Sequence, residues 1–424
     1  MERIKVKILK LGRVENSAIE ISPMMIFSGE SGMGKSYLAL LSHYFFDVLM
    51  LSDRVKRLEN LFVEYGYNYK EMEKDFQEKG EALSLSKQQL EKWMEKDAIN
   101  YLRFMLNSQN LDGDIKVILP NTVPDEMSIQ YSIDRAGFMN NENREVVLNM
   151  GMIGFRVTQS AINDVTPFAS IFSAYLTERL YGDIYAIRST FNMPPSRGPV
   201  LSENVTGNSG MYKDFIADVN DMSNVFPDNQ QEQTQLMNQL RAIMEGEVQK
   251  EEGRYVYLTE KLNIPISAAA SSIREIAPLQ LLASKVNMRQ TAILIEEPEA
   301  HLHPNKQRMM ADVVGCIRKT GSYVHLTTHS DYFLQRINEL ILFQRYANNH
   351  KEEEIASLAK RTGISTSFGI DGQEVVAYLL ERQRDGSSKV VKQDLKHGIP
   401  FTSFNNAVRE GMRVGDILEE ALEL

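Results

Sequence analysis

The sequence predicts an α/β sandwich whose chain is split by an insertion. Strand-like apolar runs alternate with helical patterns around a glycine-rich loop near the N-terminus, and they do so again toward the C-terminus. Between them, from about Ser52 to Asn107, the composition turns charged and takes helical spacing. The expected organisation is a core lobe over 1–51, a mainly helical insertion with some core-completing strands over 52–250, and a second core lobe over 251–424.

Ile4 to Phe27 reads as two or three strands. IKVKIL and AIEI alternate, GRVENS is a turn between them, and MMIF is a short buried strand. A helix follows over Tyr37–Leu51. Residues 52–107 read as two or three helices, with Leu58, Leu61, Phe62 and Tyr65 on one face. DIKVILP, EMSIQYSI and EVVLNMGMIGFRVT are strand-like, and Pro167–Leu180 is helical. GDIYAIRSTFNMPPSRGPVLSE reads as a strand running into a proline-rich turn. Met211–Glu247 reads as polar helix, and RYVYLT and LNIPISAA as short strands. SSIREIAPLQLLASKV is a helix with Ser271 or Ser272 as its cap. AILIEE and SYVHLTTHS are buried strands flanking the amphipathic helix NKQRMMADVVGCIRKT. EVVAYLLER and SSKVVKQDL form a hairpin, and a last helix starts near Phe404. No internal repeat is present.

Of the 424 residues, 43% are hydrophobic and 25% charged, as in ordinary globular chains. The formal charge of −10 gives no overall attraction for nucleic acid, which would need a local basic surface. Arg382, Arg384, Lys389, Lys392 and Lys396 form one such set, also explained as a solvated hairpin face. The single cysteine, Cys316, excludes an internal disulfide and a cysteine-rich zinc site. No secretory signal opens the chain, and the longest apolar run is broken by His43 and Asp47, so no membrane span is expected. A cytoplasmic location is the expectation.

GESGMGKS matches G-x-x-x-x-G-K-[ST] in full, with a strand before it and a helix after it. Residues Gly29, Glu30, Ser31, Gly32, Met33, Gly34, Lys35, Ser36 and Tyr37 are therefore expected to cradle ATP. Glycines let the backbone wrap the phosphates, and the helix N-terminus points its amides at the anion. Lys35 would reach the β- and γ-phosphates, and Ser36 would hold Mg²⁺. The strand ILIEE ends in two acids: Glu296 would sit beside the metal and Glu297 would polarise the attacking water. A second buried strand ends at His329, placed to donate to the γ-phosphate. His301 and His303 lie two apart with no matching Cys or His cluster, which argues against zinc.

Four stretches, KILKLGRVENSAIEI…GESGMGKS, SAAASSIREIAPLQLL, ILIEEPEAHLHP and LTTHSDYFLQRI, together resemble the SMC/RecF-like branch of ABC ATPases. The resemblance is closest to the ATPase modules of the OLD (overcoming lysogenization defect) family. It implies a P-loop ABC-type head, with a mixed-sheet core, an antiparallel β-subdomain and a helical insertion. It further implies ATP and Mg²⁺ as cofactors and head-to-head dimers or larger homo-oligomers. Ser271 or Ser272 would contact the partner's γ-phosphate, Ala300–Pro304 would be the D-loop, and His329 the switch histidine. Three features depart from the pattern: Glu296 replaces the usual aspartate, the signature lacks a Gly-Gly pair, and no Q-loop glutamine is assigned, Gln159 being a weak candidate. Arg197, in PPSRGP, reads either as a surface turn arginine or as a group near the nucleotide or dimer seam.

Three functions are open at this stage. One is an ATPase whose dimerisation or higher assembly gates a separate nuclease or toxin effector, or senses an invader, in anti-phage defence. The second is a RecF-like DNA-repair or DNA-end-binding ATPase. The third is an ATP-bound clamp, which Glu297 argues against, because a clamp has no use for a water-activating acid. About 95 residues follow His329, little room for a Toprim nuclease domain, so the nuclease or toxin is expected on a separate protein.

Overall fold

The alternating burial of the first strands sets the pattern for the first of two units. The structure is a computed structural model that describes residues 2–50, 57–65, 81–133, 145–158, 164–201, 210–221, 231–400 and 403–422. Contacts gather the chain into one unit of Met1–Ile21, Leu40–Thr190 and Gln290–Ala292, and a second of Ser22–Ala39, Phe191–Arg289 and Ile293–Leu424.

In the first unit, β1 (Lys5–Leu11) pairs antiparallel with β2 (Val14–Glu20) and with β5 (Gly113–Ile118). Val6, Ile8 and Leu11 are buried while Lys5 and Lys7 face water. The hairpin turn is only Gly12 and Arg13, with Gly12 at φ +58°; VENS, read as turn, continues β2. A second antiparallel sheet has the order β4 (Glu81–Ser86), β6 (Glu126–Ile133), β7 (Glu145–Met150), β8 (Ile153–Thr158). β4 corrects the all-helical reading of 52–107. Its alternation of Leu with Ser has period 2, and β6 supplies the ladder partner.

Helices complete this unit: α1 (Lys35–Asp47, from Leu40 onward), α2 (Arg57–Glu64), α3 (Lys87–Met105) and α4 (Thr166–Tyr181). Ser86 and Gln89 form a capping box at the start of α3, and Gly182 ends α4 in the left-handed region. Phe62 meets Phe172 edge-on at 5.5 Å, and Tyr44 packs on Tyr101 at 5.6 Å. Arg57 links α1 to α3 through Asp47 (3.2 Å) and Asp97 (3.3 Å).

The second unit is built on a mixed sheet. Its strand order is β16 (Ser388–Lys392), β15 (Val375–Arg382), β3 (Met24–Gly29), β14 (Tyr323–Thr328), β13 (Thr291–Glu296), β9 (Ser189–Met193). β3 lies parallel to both β14 and β15, and β15 pairs antiparallel with β16 as the expected hairpin. Every residue of β13 is buried. Met24, Ile26, Ile293, Ile295, Val324 and Leu326, alternate residues of three strands, share one core with the helices.

The helices of this unit are α5 (Gly210–Asp221), α6 (Gln231–Met244), α7 (Ser271–Lys285), α8 (Pro304–Lys319), α9 (Asp331–Ala347), α10 (Glu352–Thr362) and α11 (Ser403–Ala421), of which α5 to α10 contribute to that core. A small antiparallel sheet adds β10 (Glu247–Glu251), β11 (Arg254–Leu258) and β12 (Asn263–Pro265). Of the stretch Met211–Glu247 read as polar helix, 211–221 and 231–244 are helical, and Glu247 instead opens β10. Helix α7 starts one residue earlier than a serine cap requires. Ala270 is its N-cap, and no side chain caps it. The sequence reading left α10 unassigned and named the start of α9 only as a motif. Among the described residues, no helix is long and apolar enough to cross a membrane.

Candidate functional site

The glycine loop joins β3 to α1 through three left-handed glycines: Gly29 at φ +129°, Gly32 at +74° and Gly34 at +100°. At Gly29 a Cβ would lie 2.7 Å from the Leu380 carbonyl oxygen of β15, so only glycine fits. The loop thus hugs the sheet and delivers the N-terminus of α1, whose first amides have no partner within the helix. Met33 turns inward, buried against Ser388 of β16. Glu30, Ser31 and Gly32 are exposed, and Ser36 and Tyr37 are half-buried.

Lys35 is 6% exposed. Its Nζ donates to the carbonyl oxygens of Gly29 (3.0 Å) and Glu30 (2.7 Å). Burial pushes the amine down to about 8, against the pull of Glu297, Glu299 and Glu296.

The parallel strands bring the acids and the histidine to the same end of the sheet. Ser36 Oγ donates to Glu296 Oε2 at the end of β13. Glu296 Oε1 is buried and has no protein partner. Burial pushes this carboxyl up to about 7, and the charge of Glu297 adds to the rise. A buried carboxylate oxygen left over beside a serine hydroxyl fits magnesium, which takes one or two protein oxygens and completes its shell with phosphate and water. The donors are hard oxygens, and among the described residues no group of three or more His, Cys, Asp or Glu could hold a metal alone.

Glu297 adopts φ +47°, a left-handed conformation that β-strand termini rarely take. Its amide is held by the Thr327 carbonyl (3.1 Å) and hydroxyl (3.2 Å) of β14. Its carboxylate is partly exposed and lies 3.5 Å from His329 Nε2. His329 Nδ1 lies 3.5 Å from Lys35 Nζ, and Nε2 lies 3.5 Å from Ser31 Oγ. Burial, then the charge of Lys35, holds the imidazole below its usual value, so it is neutral near pH 7.

The structure brings Lys35, Ser36, Glu296, Glu297 and His329 together. It keeps Ser271 exposed and Ser272 half-buried at the start of α7. Among the described residues neither bonds to the glycine loop of its own chain. His301 is exposed at φ +60°, and His303 caps α8, accepting from Asn305 N. Gln159 lies outside the described residues.

Arg197 is not a surface turn arginine. It is 2% exposed, and its guanidinium donates to the carbonyls of Glu296 (2.9 Å), Glu275 (2.9 Å) and Pro194 (3.2 Å). The Glu275 carboxylate accepts from the amides of Arg197 and Gly198, both at 3.1 Å. Arg197 therefore fixes the backbone at the end of β13 from the side of α7. Sequence reasoning also missed Glu299 and Gln307. The signal for Glu299 was a third carboxylate inside an otherwise buried acid-strand terminus; Gln307 gave none.

Residues 184–334 match the family described as an AAA ATPase domain. The matched stretch is under half of the chain; it contains β13, β14, Glu297 and His329, and it excludes the glycine loop. No curated protein sequence matches the chain. Among solved structures, the chain is similar to an SMC head bound to the C-terminal winged-helix domain of ScpA. There the identity is 14% and the TM-score 0.38, covering 93% of this chain and 98% of that one. It is similar to the SMC head domain from Thermotoga maritima at 11% identity and a TM-score of 0.33, covering 93% and 100%. A third is the Smc head domain from Pyrococcus furiosus with an extended coiled coil, bound to the C-terminal domain of ScpA. It shows 11% identity and a TM-score of 0.37, covering 97% and 99%.

Proposed function

We propose that the chain binds and hydrolyses ATP with magnesium, works through paired heads, and uses that cycle to gate a separate nuclease or toxin in anti-phage defence. One observation carries the reading. Five side chains from three parts of the sequence, near 35, 296 and 329, meet at the end of one parallel strand set. Bound magnesium would neutralise phosphate charge between Ser36 and Glu296.

The remaining steps belong to the chain's own groups. The loop amides and Lys35 hold the phosphate oxygens, and because Lys35 is desolvated its charge acts at high strength. Glu297, partly exposed beside His329, orients the attacking water and draws on its proton. Neutral His329 can donate one N–H to the γ-phosphate while its other nitrogen faces its neighbours. Ser271, exposed at the start of α7, and the half-buried Ser272 beside it would meet the nucleotide of a second head. The effector role rests on the resemblance of the four motifs to OLD-type modules.

The test is turnover and mass in one preparation. The wild type should hydrolyse ATP. Glu297→Gln should lose turnover by about a hundredfold or more, bind ATP, and rise at least to a dimer by light scattering when ATP is added. Normal turnover in that variant would assign the water to another residue, and a monomer with ATP bound would remove the paired-head reading.

A further inference from the structure

The loop that follows the acid pair is tied at both ends to the segment that carries His329. Glu299 is buried, 8% exposed, and its Oε1 accepts three bonds: from Thr328 Oγ1 (2.7 Å), His329 N (2.7 Å) and Ser330 N (3.2 Å). Gln307, on the first turns of α8, makes the second tie. Its Nε2 donates to the Leu302 carbonyl at 2.9 Å, and its Oε1 accepts from Ser330 Oγ. Ser330 Oγ in turn accepts from Phe333 N and caps α9.

The loop closes on itself as well, since Ala300 N donates to Glu297 O (3.0 Å) and Leu302 N to Glu299 O (3.1 Å). Residues 297–303 and 328–330 are therefore joined in one hydrogen-bonded network. A carboxylate that accepts two main-chain amides and a hydroxyl fixes the backbone of all three residues at once. His301, His303 and His329 are the exposed residues of that network, and Glu297 is partly exposed.

We propose that Glu299 and Gln307 are positioning residues that hold His329 in register with Lys35 and Glu297, and that they transmit any displacement of the loop 300–303 to it. The inference rests on the ATPase reading, because it concerns the geometry of that same site. His329 sits 3.5 Å from each of Lys35, Glu297 and Ser31, at the outer limit of a hydrogen bond. A shift of 1 Å at its backbone would take it out of reach, and misplacements of that size cost about a hundredfold in rate.

The experiment compares Glu299→Ala, Glu299→Gln, Gln307→Ala, His329→Ala and the double variant Glu299→Ala/His329→Ala with the wild type. Glu299→Ala should lower kcat about ten- to a hundredfold and leave KM for ATP within about twofold. Glu299→Gln keeps the accepting oxygen and should stay within about fivefold of the wild type. Gln307→Ala, which loses one tie of two, should fall between them. The double variant should be no slower than His329→Ala alone.

Hydrogen exchange of the peptide spanning 326–332 supplies a readout that needs no turnover. It should speed at least about tenfold in Glu299→Ala and little in Glu299→Gln. Additive losses in the double variant, a raised KM with kcat unchanged, or unchanged exchange would overturn the inference while leaving the ATPase reading intact. A wild type that hydrolyses no ATP would overturn both.

Discussion

At the scale of the residue, Glu296 shows how burial tunes a metal acid. Its carboxyl stands at about 7 in the folded chain against about 4.5 for a free glutamate. Below pH 4.5 the group is protonated in both states and contributes nothing unfavourable. As pH rises from about 4.5 to 7 the unfolded chain ionises first, so folding loses stability, and above 7 the loss is complete. With no metal added, that penalty amounts to about 3 kcal/mol. Glu296→Gln keeps an acceptor for Ser36 and removes the charge. Its stability relative to the wild type should therefore rise between pH 5 and pH 8, by up to that amount, in denaturant melts. Parallel pH curves for the two proteins would show that Glu296 is ionised without cost. The motif spacing named Glu296 as an acid at the metal. It could not show the unpartnered Oε1 or the Arg197 guanidinium behind it, because both depend on chain brought from 197 and 275.

At the scale of the element, the junction of β3 and α1 decides whether the loop can form. Gly29 is pressed against β15 at φ +129°, so Gly29→Ala meets both a backbone penalty of about 1–3 kcal/mol and a clash with the Leu380 carbonyl. The expected result is a fall in melting temperature of several degrees, together with loss of ATP binding. Unchanged binding would mean that the loop cradles nothing. The glycines, the apolar strand and the following helix were legible because each is local: period, φ preference and end signals all lie within a few residues. β4 was misread for the same reason. Ala-Leu-Ser-Leu-Ser is short, sits among helix formers, and becomes a strand by pairing with β6, about forty residues or more away. The Ser271 cap failed because the helix starts at that serine, leaving Ala270 in the capping position.

At the scale of the whole molecule, net charge bears on the runner-up function. The chain carries −10, while Arg382, Arg384, Lys389, Lys392 and Lys396 are exposed in and just beyond the β15–β16 hairpin. Five cations against that background should not retain duplex DNA at about 0.15 M salt. Gel-shift titrations over a salt series measure this directly. Affinity that falls steeply with salt, with a slope of about four or more on logarithmic axes, would restore the DNA-end-binding reading.

The sequence by itself determined the α/β alternation, the glycine loop and the two strand ends that carry Glu296, Glu297 and His329. All of these are written in patterns a few residues long, where backbone sterics and side-chain period act alone. Tertiary structure decided what those pieces face. It grouped the chain into two units from non-contiguous segments, buried Arg197 behind Glu296, and tied Glu299 to the backbone of His329 and Gln307 to the side chain of Ser330. A buried polar group must find its partner wherever the fold supplies one, and no spacing along the chain encodes that distance.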